Sequence, residues 1–131
     1  MTPARILIVE DEAIVAVDIQ KTVQTLGYNV PAIAFSGEEA LQKTEELHPD
    51  VVLMDIVLQG QMDGIEAAHQ IHERFGIPSI FMTGYSEEIV EQLTTGKPCL
   101  SVMKPVDENE LHTTILKALE AHKRHQIDRG S

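Results

Sequence analysis

Glu10 and Asp11 directly follow the apolar run Arg5-Ile6-Leu7-Ile8-Val9, and Asp55 directly follows Val51-Val52-Leu53-Met54. Thr83 follows Pro78-Ser79-Ile80-Phe81-Met82, and Lys104 follows Cys99-Leu100-Ser101-Val102-Met103. Each has an ordinary reading when taken alone. Acids that open a helix favour its positive end, which suffices for Glu12. A threonine ends many strands, and a lysine can lay its stem along an apolar surface. Asp55 resists that reading, because a carboxylate closing a buried run is costly unless paired or bound. Together the residues suit one chemistry. Three carboxylates in one crevice repel each other and call for a cation. A set of oxygen donors favours Mg²⁺, with waters and phosphate oxygens completing the octahedron. A carboxylate can attack phosphorus to form an aspartyl phosphate. The charge on the transferring group is then balanced by a metal, the Lys104 ammonium and the Thr83 hydroxyl.

Bringing these residues together requires that the apolar runs be strands whose carboxyl ends share one edge. The runs, with Asn29-Val30-Pro31-Ala32-Ile33-Ala34 as a fifth, are continuous rather than alternating, as in parallel strands covered on both faces. Capped amphipathic stretches separate them. Val15, Ile19, Val23 and Leu26 share one helical face, closed by Gly27. Ser36 with Glu39, Asp63 with Glu66, and Asp107 with Glu110 have capping-box spacing, and Ser86 opens a fourth stretch. Leu111, Ile115 and Leu119 mark the last helix. Strict alternation of five β/α units with right-handed crossovers predicts a parallel sheet between two helical layers. Ligands of such open sheets bind outside the carboxyl ends of the strands.

Composition agrees with one domain of this kind. The hydrophobic fraction is 43%, enough for a real core. The net charge of −11 disfavours a duplex-DNA surface or an anionic membrane surface of its own. A single cysteine, Cys99, excludes an internal disulfide, and with no signal-like start the expectation is a cytoplasmic protein. Cys99 is expected to be an inert thiol in a buried strand. His69 with His72 and His122 with His125 have helical spacing, but without matching acid or thiol partners they read as solvated helix faces. The expected organisation is a domain over residues 1–121 and a polar tail over 122–131 that frays from about His122. The chain stops soon after its last helix, so the expectation is a domain acting by protein contacts or cut from a longer protein.

The set Ile6-Leu7-Ile8-Val9-Glu10-Asp11-Glu12, Val51-Val52-Leu53-Met54-Asp55, Met62-Asp63-Gly64, Met82-Thr83-Gly84-Tyr85 and Met103-Lys104-Pro105 resembles the receiver domain of two-component response regulators. The resemblance runs from about Ala4 to about Glu120. It implies a flavodoxin-like doubly wound (βα)5 fold with strand order 2-1-3-4-5. It implies Asp55 as phosphoacceptor, and Mg²⁺ held by Asp11, Asp55 and the main-chain carbonyl of Val57, with Glu10 acting through water. Thr83 would read the phosphoryl group and Lys104 would pair with it. The implied donor is a histidine kinase or a histidine phosphotransfer protein, the chain signalling by conformational change rather than acting as an enzyme, with a homodimer as one possible assembly. Four departures stand out. Glu10 replaces the commoner aspartate, and Leu58-Gln59-Gly60-Gln61 makes the loop after Asp55 one residue longer than usual. Ser101 stands where the family has its aromatic reporter, and Val106 where Phe is common.

Three rival readings each require a feature that the sequence does not show. An aspartyl-phosphate phosphatase of the haloacid-dehalogenase type needs a second Asp where Val57 stands. A pseudo-receiver, a pure binding module, should have lost one of the site residues. A flavodoxin should show a Ser/Thr-rich phosphate loop after the first strand. Nucleotide binding lacks both GxxxxGK[ST] and GxGxxG.

Overall fold

The first apolar run forms strand β1 (Ile6–Val9), and its four side chains are all buried. The computed structural model describes residues 3–95 and 99–130, with side chains as far as 124. The elements that follow are α1 (Ala13–Thr25), β2 (Ile33–Ala34), α2 (Gly37–Leu47), β3 (Val51–Asp55) and α3 (Gly64–Phe75). Then come β4 (Ser79–Thr83), α4 (Glu87–Leu93), β5 (Leu100–Met103) and α5 (Glu108–Gly130). The strands form one five-stranded sheet in the order β2-β1-β3-β4-β5, and every pairing is parallel.

Alternating side chains of these strands feed two cores, which is why the runs are apolar throughout. Leu7, Val9, Val52, Met54 and Phe81 face α2, α3 and α4, meeting Ala40, Ala67, Ile71 and Val90. Ile6, Ile8, Leu53, Ile80, Met82 and Val102 face α1 and α5, meeting Ile19, Val23, Leu111 and Ile115. The caps form as the spacing predicts. Ser36, Asp63, Ser86 and Asp107 accept the backbone N–H groups of Glu39, Glu66, Ile89 and Glu110. Gly27 follows α1 at φ +97°, a conformation that favours glycine.

Three local expectations are corrected. The second run yields a strand only at Ile33–Ala34, with an isolated bridge between Arg5 and Asn29 before it. Pro31 lies between them without an N–H to donate, which confines the run to the sheet edge. Cys99 precedes β5, where it is exposed, its Sγ 3.8 Å from Thr94 Oγ1. Helix α5 runs on through the polar segment from His122 to Gly130. His122 itself is buried, with Nδ1 3.4 Å from the Gly76 carbonyl and Nε2 4.0 Å from an Asp50 oxygen. It ties α5 to the far end of the sheet, so it is no part of a solvated face. The side chain of His125 lies outside the described residues, whereas His69 and His72 are exposed on α3. No described helix is long and apolar enough to cross a membrane.

Candidate functional site

Sheet register brings the chemistry-bearing residues to one edge. Glu10 directly follows β1, and its N–H donates to the Ala34 carbonyl at 3.0 Å. Asp55 is the last residue of β3 and pairs with Met82, so Thr83 stands one step further out on the neighbouring strand. Thr83 pairs with Met103, and the Lys104 N–H donates to the Thr83 carbonyl at 2.8 Å. That bond extends the β4–β5 ladder by one residue and aims Lys104 across the sheet. The Lys104–Pro105 peptide is cis.

Glu10, Asp11 and Asp55 each place a carboxylate oxygen within 4.8 Å of the others. Lys104 Nζ reaches the two nearest of them. It lies 3.3 Å from each Glu10 oxygen and 3.4 Å from Asp55 Oδ2. Glu10 is 1% exposed, an extreme burial for a carboxyl group. Burial pushes its pKa up to about 8, helped by the hydrogen bond and charge of Asp55 and partly offset by Lys104. One cation among three carboxyl groups leaves the cluster short of positive charge when all three ionise. Its all-oxygen donor set fits a hard divalent ion such as Mg²⁺.

Main-chain groups hold the carboxylates in place. The Val57 N–H donates to Asp55 Oδ1 at 3.1 Å, and the Gln59 N–H donates to Asp11 Oδ2 at 3.4 Å. The Val57 side chain points away from the core and is 61% exposed. The Thr83 hydroxyl is buried at the strand end and accepts the Tyr85 N–H at 3.0 Å. Beneath Asp55, α3 begins at Gly64, whose N–H donates to the Ile56 carbonyl at 3.0 Å. A Cβ at Gly64 would overlap the Asp55 carbonyl oxygen, so only glycine lets the helix start this close to the strand.

Glu10, Asp11, Asp55 and Lys104, read from the sequence as one set, therefore come together, with Thr83 and Val57 beside them. The hold of the Gln59 amide on Asp11 had no sequence signal, because a backbone N–H looks the same at every residue. The close approach at Gly64 had one in the Asp63-Gly64 pair that opens α3, although the pattern alone does not say which backbone it meets.

A doubly wound parallel sheet with an acid cluster, a hydroxyl and a lysine on its carboxyl edge defines the receiver class of α/β domains. The chain belongs to the response regulator receiver domain family, which matches it over residues 6–116. The phyllosphere-induced regulator PhyR of Methylorubrum extorquens is 33% identical over 118 residues, which is 87% of this chain and 43% of PhyR. The transcriptional regulatory protein PdtaR of Mycobacterium tuberculosis is 32% identical over 110 residues, 83% of this chain and 53% of PdtaR. This chain thus spans about half the length of these relatives or less. Among solved structures, the signal receiver domain of a modulated diguanylate cyclase from Desulfovibrio desulfuricans G20 has a TM-score of 0.82. It is 32% identical, and the match covers 92% of this chain and 97% of that one.

Proposed function

We propose that this receiver domain accepts a phosphoryl group on Asp55 from a histidine kinase or a histidine phosphotransfer protein, in a Mg²⁺-dependent reaction, and signals through the resulting conformational change. The observation that carries this reading is the placement of Lys104 against both Glu10 and Asp55 beside a third carboxylate, Asp11. Asp11, Asp55 and the main-chain carbonyl of Val57 are the groups that would hold Mg²⁺, with Glu10 behind them. Bound there, the ion would neutralise charge on the phosphoryl oxygens.

The rest of the chemistry belongs to the chain itself. An Asp55 carboxylate oxygen attacks phosphorus. The bond from phosphorus to the donor's imidazole nitrogen breaks, and its electron pair stays on that nitrogen. The Val57 N–H holds Asp55 Oδ1, which limits the orientations the nucleophile samples. Lys104 balances the charge gained at the site, and the Thr83 hydroxyl turns from the Tyr85 N–H toward a phosphoryl oxygen. The β4–α4 loop that follows Thr83 is the element this exchange would move, with Tyr85 its aromatic side chain.

Uptake of phosphate from a small acyl phosphate tests the metal requirement. It should proceed with Mg²⁺ and stop on chelation. Uptake that is indifferent to the chelator contradicts the reading.

A further inference from the structure

The segment Met62-Asp63-Gly64 is gripped at both ends. At one end Gly64 sits on the Asp55 and Ile56 backbone with no room for a methyl group. At the other end Met62 packs on Gly37, the first residue of α2. A Cβ added at Gly37 would stand 3.1 Å from Met62 Cβ, 3.1 Å from the Met62 carbonyl oxygen and 3.2 Å from Met62 Cγ. Two of those atoms belong to the backbone or its first carbon, so rotation of the side chain cannot relieve the contact. The loop must give by a few tenths of an ångström. Next to this seat, Gly60 at φ +114° faces the Glu38 carboxylate, so the same loop leans on the start of α2 at a second point.

This loop is the one that donates N–H groups to Asp55 from Val57 and to Asp11 from Gln59. We infer that Gly37 is a positioning residue for the acid cluster, setting the height of the β3–α3 loop over Asp11 and Asp55 through its contact with Met62. Its effect on phosphorylation rests on the proposed function, whereas its effect on the loop does not.

Gly37→Ala tests both parts. The amide signals of Val57 and Gln59 in the Mg²⁺-free protein should shift. A misplacement of about 1 Å can cost about a hundredfold in rate, so a displacement of a few tenths predicts phosphorylation by an acyl phosphate up to about fourfold slower at limiting Mg²⁺. A lower melting temperature with both amides unmoved overturns the inference and leaves Gly37 a packing residue only. Shifted amides with an unchanged rate overturn it as well. If the unsubstituted protein takes up no phosphate, the proposed function fails and the amide shifts alone decide the role of Gly37. If Gly37→Ala does not fold, Met62→Gly removes the Met62 Cβ and Cγ from the same seat on the loop side. That variant should move the same two amides, and unmoved amides overturn the inference.

Discussion

Lys104 Nζ stands 3.3 Å from both carboxylate oxygens of Glu10, a residue 94 positions earlier in the chain. A half-buried ammonium facing a fully buried carboxyl is a poor source of net stability, because desolvation offsets much of the attraction. The contact is better understood as holding a cluster of like charges together at the edge where chemistry is proposed.

The first prediction follows from the raised pKa of Glu10. In the unfolded chain this carboxyl titrates near 4.5, and in the metal-free folded protein near 8. Between those values the folded state keeps a proton that the unfolded chain has lost, so its contribution to stability declines as pH rises and levels off above about 8. Urea midpoints measured in a chelator should show this decline, and Glu10→Gln should remove that part of the slope. A slope left unchanged in Glu10→Gln would assign it to other groups.

A second prediction concerns the cation. On the proposed function Mg²⁺ would bind the folded cluster and relieve its repulsion, so tenfold excess over the dissociation constant should add about 1.4 kcal/mol, or roughly 5 °C in Tm. Asp11→Ala should lose that response. A melting curve in the unsubstituted protein that ignores Mg²⁺ would count against the site.

Gly64 provides a third. A methyl group there overlaps the Asp55 carbonyl oxygen, so Gly64→Ala must separate α3 from the end of β3. Overpacking of this kind should cost about 3 kcal/mol. Chemical denaturation checks it, and a loss within error of zero would mean that the helix start adjusts freely.

The fourth prediction is the lifetime of the phosphorylated state. Val57 lies two residues past Asp55 and Tyr85 two past Thr83, with side chains 61% and 43% exposed, and on the proposed function they are the side chains beside the water's approach. Neither side chain carries a carboxamide or acid that could orient an attacking water, as effective groups do in phosphoryl transfer. Loss of phosphate should therefore be slow, and Val57→Asn should quicken it several-fold. An Asn variant no faster than the parent would refute the water-access argument.

Much of this was legible before the structure because it depends on local rules. Apolar runs of strand length with capped amphipathic stretches between them fix a parallel sheet, and parallel pairing then carries Glu10, Asp55, Thr83 and Lys104 to one edge. What the pattern missed depends on tertiary register or on anonymous backbone. Cys99 opens an apolar run, yet β5 starts at Leu100, where pairing with Ile80 begins. His122 is polar and close to the chain end, yet the α5 face that carries Leu111, Ile115 and Ala118 continues through it, so the helix buries it against Gly76. The Gln59 amide and the Gly37 seat follow from the path of one loop, which residue types alone do not encode.

The claim that Asp55 is the phosphoacceptor is tested most directly by intact mass after treatment with an acyl phosphate and Mg²⁺. The account predicts that the unsubstituted protein gains the mass of one phosphate and that Asp55→Asn gains none. An undiminished gain in Asp55→Asn would place the acceptor elsewhere and contradict it.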